Sequence, residues 1–311
     1  MSQAAGTAEA LKAAARESRR SRWSRDRVET WIISVLKWVG VAFFLIVTVF
    51  PFLYMLLLSV RPIADLAREP GRLFVPFERL TFGTYDEVLR SVADGGQGFL
   101  SFLVNSAIVA SLAVIASLLL AIPGAYAISR LDFFGRRQVN VVFLAVYLFP
   151  AILLAIPLFV IFTRLGLRGS LFGLVVVYFS QTVPVTIHML RTYFATVPES
   201  LEESAALEGA NRFQIMRRIS IPLAMPAIMS TGLFVFMIAW NEFLFALLFL
   251  ADRRESWTVS LGLSQLANST IEVPTTVVMA GAVILTVPII VAFFLTERLL
   301  VEGLTAGAEK G

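Results

Sequence analysis

Six apolar runs, separated by short polar stretches, constrain this chain more than any other feature of its sequence. The runs cover residues 32–59, 102–129, 139–163, 171–190, 222–250 and 274–297. As helices rising about 1.5 Å per residue, they are long enough to cross a hydrocarbon core of about 30 Å. Charged residues make up only 15% of the chain, whereas soluble domains carry about a quarter. We therefore predict an all-α fold, a polytopic membrane protein with a bundle of six transmembrane helices.

The basic residues predict how the six spans are oriented. With the N-terminus in the cytoplasm, sixteen Lys and Arg residues fall in the inside segments and nine in the outside loops. Such an excess is typical of cytoplasmic segments. We predict a cytoplasmic N-terminal tail over residues 1–30, a six-span domain over 31–298, and a cytoplasmic C-terminal tail over 299–311.

The sequence lacks the residues that several classes of catalytic and binding site need. Cysteine is absent, and His188 is the only histidine, so thiol chemistry is excluded and a histidine base is available at one position only. The sequence contains no GxxxxGK[ST] phosphate loop and no histidine–carboxylate cluster with metal spacing. Basic residues gather at span ends, so we expect a lipid bilayer and no nucleic acid as the partner surface.

These absences predict a transport protein that binds no cofactor, is not itself an enzyme, and is driven by another chain. Two rival classes are weighed. A stand-alone secondary carrier or channel stays open. A polytopic membrane enzyme would need an acid, a base and a nucleophile near one interface, and the sequence offers no such set.

One carboxylate interrupts an apolar run. Glu242 follows Asn241 in the fifth run, and an ionisable group inside a membrane span is costly and marks a functional-site candidate. Two interpretations stay open for this pair of residues. They line a pathway, or they form hydrogen bonds that order the fifth span.

The polar stretch over residues 199–222 lies between the fourth and fifth runs. Its residues Leu201, Ala205, Gly209, Phe213 and Met216 recur at spacings of four, four, four and three. This periodicity predicts one helix whose face has small residues at its centre. Its acids come first and its bases last, the order that the helix dipole favours. The stretch is interpreted as a helix that docks on a partner, and the alternative is a solvated connection between spans.

The same stretch resembles a known signature. Glu203-Ser204-Ala205, then Gly209 after three residues, and Ile219-Ser220-Ile221-Pro222 after nine more resemble the coupling loop of ATP-binding-cassette importer permeases. That signature has Glu-Ala-Ala, three residues, Gly, nine residues and Ile-x-Leu-Pro. The chain departs from it at Ser204, in place of Ala, and at Ile221, in place of Leu.

Three further stretches resemble the sugar-importer branch of this family. They are residues 124–130 at the end of the second run, 240–243 in the fifth, and 303–311 at the C-terminus. The last is similar to the ending of the smaller, six-span permease of maltose/trehalose-type importers, although Gly is expected near Ala308 and an apolar residue near Glu309. The resemblance covers essentially everything after residue 30.

The resemblance implies the permease subunit of an ATP-driven importer of a disaccharide or oligosaccharide in a bacterial or archaeal cytoplasmic membrane. A glycerol phosphate permease of the same family is the alternative substrate class. The implied partners are a second permease in a heterodimer, two copies of a cytoplasmic ATPase subunit and an extracytoplasmic sugar-binding protein. ATP and Mg²⁺ would be bound by the ATPase subunit.

The resemblance also implies site residues, with residues 191–221 as the coupling loop. The implied ATPase-coupling residues are Glu203, Ser204, Ala205, Gly209, Ala210, Ile219 and Pro222. The implied C-terminal contacts are Leu304, Thr305, Ala306 and Gly307.

Overall fold

The computed structural model describes the backbone of residues 2–69, 71, 75–269 and 273–308, and the side chains of residues 28–297 within those ranges. The regular elements of this described part are all helical. They are α1 (Ser2–Ser59), α2 (Ile63–Arg68), α3 (Gly83–Leu89), α4 (Phe99–Arg130), α5 (Arg136–Leu148), α6 (Ala151–Arg164), α7 (Leu171–Phe194), α8 (Glu199–Leu207), α9 (Arg212–Ile215), α10 (Ile221–Leu223), α11 (Met225–Asn241), α12 (Leu244–Leu250), α13 (Val259–Ala267) and α14 (Thr275–Ala308). A π-helical turn, Met216–Ser220, joins α9 to α10. Short 3₁₀ turns cover Phe77–Arg79, Val92–Asp94 and Arg254–Ser256.

The helices account for the predicted spans. Among the described residues, four helical segments are long and apolar enough to cross a membrane: Val28–Ser59, Phe99–Arg130, Leu171–Phe194 and Thr275–Glu297. Two bent helix pairs raise the number to six if each pair counts as one span. The predicted all-α, polytopic fold is confirmed.

The chain divides into two units, residues 1–57 and 58–311. All but the last two residues of α1 belong to the first unit, and the helix continues without a break from Ser2 past the predicted boundary at residue 30. The division into two tails and a span domain therefore stays a prediction.

The third apolar run is not one straight helix. Its two helices, α5 and α6, meet at 92°. Phe149 and Pro150 between them are extended, with ψ of 129° and 112°. The proline ring disfavours helical geometry for the residue before it, which explains why α5 ends at Leu148. The run predicted over 139–163 is thus two shorter helices.

The fifth run, predicted over 222–250, is also interrupted. The segments Arg212–Leu223 and Met225–Asn241 are bent by 75°, with Ala224 at φ −87° and ψ 3° between them. The chain then leaves helical geometry at Glu242, where ψ is 129°, before α12 begins at Leu244. The fifth run is thus divided by breaks at Ala224 and Glu242.

The second unit is built on α4, α7 and α11, which pack on one another. The face of α4 that is buried there carries small residues at helical spacing: Ser106, Ala110, Ala113, Ser117, Ala121 and Ala125. Small residues let helices approach closely in membranes, where close packing holds helices together. The hydroxyls of Ser117 and Thr182 are 2.8 Å apart between α4 and α7. A Cβ added to Gly232 of α11 would lie 3.4 Å from Leu118 of α4.

Two clusters of buried apolar side chains fill this unit. The larger one includes Phe99, Phe102, Trp240 and Phe249. The smaller one includes Tyr126, Ile187, Phe194, Ala224 and Ile228. The rings of Tyr126 and Phe194 meet edge to face at 5.9 Å. Because this contact joins the last turns of α4 and α7, the smaller cluster fixes both helices where the coupling loop begins.

Candidate functional site

The predicted coupling loop folds as separate short helices before and after Gly209, and not as the single helix that the periodicity predicted. α8 ends at Leu207, and Gly209 has a φ of +90°. The N–H of Gly209 bonds to the carbonyl of Ala206 at 3.0 Å, and that of Ala210 to the carbonyl of Ala205 at 3.0 Å. This pair of bonds is a Schellman helix end, which favours glycine because glycine adopts positive φ without strain.

Gly209 is therefore not the centre of a helix face. It is exposed, and an added Cβ would meet nothing within 4 Å. The shared face predicted from Leu201 to Met216 is wrong, because the turn at Gly209 separates the residues before it from those after it.

The predicted coupling residues are spread over this whole segment. On α8, Glu203 and Ser204 are exposed and Ala205 is half-buried. Ala210 follows the turn and is half-buried. Ile219 lies in the π-helical turn and is half-buried, and Pro222 lies in α10 and is exposed. The exposed members leave a polar surface on α8 that no other described part of the chain covers.

Glu202, which precedes Glu203 in the sequence, has a buried carboxylate that accepts hydrogen bonds from three other side chains of the chain. Oε1 of Glu202 accepts a hydrogen bond of 3.1 Å from Nε of Arg130 and one of 2.9 Å from Oγ of Ser220. Its Oε2 accepts a bond of 3.2 Å from the hydroxyl of Tyr126. Only 8% of the Glu202 side chain and 5% of the Arg130 side chain are exposed. A buried charge pair of this kind is stable only when its other hydrogen-bonding groups are also satisfied, as they are here.

Arg130 extends the same network to the residues before α8. Its NH1 lies 3.2 Å from Oε1 of Glu199, and its NH2 donates a bond of 2.5 Å to the carbonyl of Val197. One guanidinium group thus contacts the connection into α8 and the first turns of that helix. The arginine is the last residue of α4, so the network joins α4 directly to the coupling loop.

Nothing in the sequence predicted that Glu202 and Arg130 form a pair. The face periodicity of α8 gave no reason to bury Glu202, and its partner is separated from it by 72 residues. The one available signal was the stretch 124–130, which the resemblance singled out without assigning Arg130 a role.

The segment after Gly209 is fixed by its own caps. Asn211 and Gln214 form a capping box, with bonds of 2.9 and 3.0 Å between each side chain and the other's backbone N–H. The π-helical turn that follows contains Ser220, whose hydroxyl bonds to Glu202. π-helical turns occur frequently at functional sites. In this chain the turn carries Ser220 to the carboxylate.

The second candidate pair, Asn241 and Glu242, does not share one environment. Glu242 is half-buried and accepts a 2.6 Å bond from the hydroxyl of Tyr178 on α7. Asn241 is exposed, and its side-chain amide donates to the carbonyl of Met237, one turn earlier, at 2.9 Å. The two side chains therefore have separate partners.

The remaining predictions concern the tail and metal binding. Leu304, Thr305, Ala306 and Gly307 belong to α14, but their side chains lie outside the described residues. In the part of the chain that the structure describes, no group of three or more His, Cys, Asp or Glu side chains could hold a metal ion.

Comparison with known proteins identifies the family. The family model described as "Binding-protein-dependent transport system inner membrane component" matches residues 113–303, which include the coupling loop and its buried network. This chain belongs to that family. It is accordingly a permease, the membrane subunit of an ATP-binding-cassette importer, and a multi-pass membrane protein.

Individual relatives match along almost the whole chain. The inner membrane ABC transporter permease protein YcjP of Escherichia coli (strain K12) is 37% identical over 88% of this chain and 95% of its own length. The trehalose/maltose transport system permease protein MalG of Thermococcus litoralis is 35% identical over 89% of this chain and 97% of its own. Each of the two matches covers most of both chains.

Solved structures confirm the fold. A bacterial ABC transporter involved in the import of the acidic polysaccharide alginate contains a chain that superposes with a TM-score of 0.71 at 24% identity. The match covers 86% of this permease and 96% of that chain. A second structure, of the bacterial alginate transporter in complex with an alginate pentasaccharide-bound periplasmic protein, contains a chain that gives a TM-score of 0.63 at 14% identity.

Proposed function

We propose that this permease is a transmembrane subunit of an ATP-driven importer of a disaccharide or short oligosaccharide, of the maltose or trehalose kind. The observation that carries the proposal is the 35% identity to the trehalose/maltose permease of T. litoralis over 89% of this chain. A further relative, the trehalose transport system permease protein SugB of Mycobacterium tuberculosis, supports the same substrate class at 34% identity over 84% of the chain.

The permease works with three kinds of partner in this proposal. A second permease completes the translocation pathway as a heterodimer, two ATPase subunits dock in the cytoplasm, and a sugar-binding protein delivers the substrate from outside. The periplasmic protein named in the alginate transporter complex supports the last of these. Both termini of the chain are cytoplasmic, as the distribution of basic residues favours.

The coupling loop is the docking surface for one ATPase subunit. The exposed side chains of Glu203 and Ser204 face the partner, and Ala205 and Ala210 allow close approach because they are small. Ile219 and Pro222 lie between this surface and α11. ATP and Mg²⁺ are bound by the ATPase, and its closure moves α8 and the spans attached to it. The permease has no ATPase site and performs no bond chemistry.

The other candidate residues have supporting roles. Glu242 orders the break between α11 and α12, a role supported by its three hydrogen bonds to Tyr178, Phe245 and Ala246. Asn241, which is exposed, is the better candidate for lining the pathway. The tail residues Leu304 to Gly307 form a second contact with the ATPase.

Reconstitution tests the proposal. The permease is co-expressed with the second permease, the ATPase and the binding protein, and uptake of radiolabelled trehalose and maltose into ATP-loaded proteoliposomes is measured. We expect uptake that needs ATP hydrolysis and sugar-loaded binding protein. Uptake by this chain alone under an ion gradient would show a secondary carrier instead, and ATP-driven uptake restricted to glycerol phosphate would replace the substrate class.

A further inference from the structure

The attachment of α8 to the rest of its own chain depends on one carboxylate. Glu202 is the only buried residue of α8. Leu201 and Leu207, the two large apolar residues of the helix, are 45% and 90% exposed. Apolar packing therefore contributes little to holding α8 in place, and the contacts of Glu202 and of Arg130 take over that role.

We propose that Glu202 is a positioning residue, which through Arg130 and Ser220 fixes α8 to α4 and to the start of the fifth span. The docked ATPase then moves these three elements as one body. This inference rests on the proposed function, because it concerns how motion of the ATPase reaches the spans. It assigns Glu202 and Glu203, neighbours in sequence, to different tasks: Glu203 faces the partner, and Glu202 binds the permease itself.

The contacts of Glu202 reach the required elements separately. Arg130 at 3.1 Å and Tyr126 at 3.2 Å belong to α4. Ser220 at 2.9 Å ends the π-helical turn that leads through α10 to α11. The carboxylate of Glu202 thus connects the docking helix α8 to α4 and to the start of the fifth span. We call Glu202, Arg130, Tyr126 and Ser220 the junction.

A buried ion pair is suited to this task because it fixes geometry. Charge-assisted hydrogen bonds are shorter and more directional than apolar contacts, so sliding α8 by one residue would break all of them together. Removing Arg130 would leave Glu202 as a buried carboxylate without a charged partner, and removing the charge of Glu202 would leave the buried Arg130 with only the exposed carboxylate of Glu199, so both changes are unfavourable. The junction therefore resists displacement of α8 relative to α4.

The contact between Arg130 and Glu202 attaches α8 to a long helix, α4. α4 runs without interruption for 32 residues, from Phe99 to Arg130, which corresponds to about 48 Å of helix. Along that length it packs against both α7 and α11. A displacement applied at Arg130 is thereby carried to the opposite end of the second unit.

The test compares Glu202→Gln and Arg130→Gln with Glu29→Gln in the reconstituted complex. Glu29 is exposed and lies in α1, outside the coupling loop, so its variant is a matched loss of one negative charge outside both the junction and the docking surface. The measured quantity is sugar transported per ATP hydrolysed. A variant that only reduced the amount of folded complex would lower uptake and hydrolysis together and leave this ratio unchanged.

We expect the ratio to fall by about tenfold or more in the two junction variants, the size of a typical coupling between sites. Glu29→Gln should keep the wild-type ratio. An unchanged ratio in both junction variants would overturn the proposal. This failure differs from failure of the proposed function, in which the wild-type complex itself would show no ATP-driven uptake.

A distance measurement tests the junction directly. Since the chain has no cysteine, spin labels can be placed at Leu207→Cys, an exposed position of α8 that is not among the predicted contact residues, and at Phe134→Cys in the loop after α4. Arg136 holds that loop to α4 through bonds of 2.7 and 2.9 Å to the carbonyls of Ile128 and Ser129. We expect the same label separation with and without trapped ATP in the wild type, and a broadened or shifted one in Glu202→Gln.

A milder variant covers the case in which Glu202→Gln does not assemble. Ser220→Ala removes one hydrogen bond from the carboxylate and keeps the ion pair with Arg130. It should lower the ratio of uptake to hydrolysis in the same direction and by less. An unchanged ratio in Ser220→Ala, together with failed assembly of Glu202→Gln, would contradict the positioning role.

Discussion

The hydroxyl of Tyr178 on α7 donates a 2.6 Å hydrogen bond to Glu242, the residue at which the fifth apolar run leaves helical geometry. The same carboxylate accepts the N–H groups of Phe245 and Ala246 in the first turn of α12, at 2.9 and 3.2 Å. These groups would otherwise lack partners at a helix start inside an apolar region. Glu242 therefore lets the helix stop and restart within the bundle.

Loss of the hydrogen bond between Tyr178 and Glu242 should destabilise the permease more than loss of the side-chain amide of Asn241. Tyr178→Phe removes a hydrogen bond to a charged group, worth about 1.5–3 kcal/mol, so we expect a lower midpoint of thermal unfolding for the purified complex. Asn241→Ala is the control, because its side chain bonds only within α11. A midpoint lowered equally by both variants would contradict the assignment of span ordering to Glu242.

Substitutions at Gly209 should show whether glycine is needed there for its positive φ or because the ATPase packs closely against it. Alanine at φ +90° is strained by about 1–2 kcal/mol, whereas asparagine enters this region more readily. If the turn is what matters, Gly209→Ala should weaken binding of the ATPase about tenfold, and Gly209→Asn should weaken it less. The dissociation constant for the ATPase subunit is the measurement. The reverse order, with Asn worse than Ala, would indicate instead that the partner packs closely on Gly209.

Removal of the Glu203 side chain should weaken assembly with the ATPase. The carboxylate is exposed in the permease, and we expect it to form a charge pair with a basic residue of the ATPase; truncating one member of such a pair, where the interface buries it, costs about 2 kcal/mol or more. For Glu203→Ala we expect weaker binding of the ATPase and a smaller loss of affinity with added salt, because one screened attraction has been removed. Glu29→Gln, which removes the same charge outside the coupling loop, serves as the charge-matched control. Unchanged affinity and salt dependence in Glu203→Ala would show that the pair is dispensable.

The predicted orientation can be checked with single cysteines in a chain that has none of its own. Ser204 on α8 and Asp94 in the loop before α4 are both exposed. A membrane-impermeant maleimide applied to intact cells should label Asp94→Cys and not Ser204→Cys, and both should be labelled after the membrane is opened. Labelling of Ser204→Cys in intact cells would reverse the assigned orientation.

The spans were predictable from sequence because hydropathy is a local property. Each apolar run is marked by its own residues, and even the bend between α5 and α6 has a local signal in Pro150. The interruption at Glu242 could be located only as a charge within an apolar run, since the hydrogen bond that stabilises it comes from Tyr178 on another helix.

The interior of the candidate site was not predictable in the same way. The burial of Glu202 depends on Arg130 and Tyr126, which come to it from another helix. Periodicity along α8 ranks its residues by spacing and contains no information about that partner. Gly209 is a different case, because a glycine after a short helical pattern is a common helix end, and treating it as a small contact residue overlooked that signal.

The helix end at Gly209 makes the orientation of the coupling loop depend on the length of α8. Glu202 attaches α8 to the spans, and the Schellman turn at Gly209 ends the helix. The number of residues between Glu202 and Gly209 therefore determines the direction in which the exposed surface faces. One inserted residue would rotate everything beyond it by about 100° around the helix axis. The interval between Glu202 and Gly209 therefore sets the direction of the docking surface, and a chain with a longer or shorter interval would turn that surface away from the ATPase even with every contact residue intact.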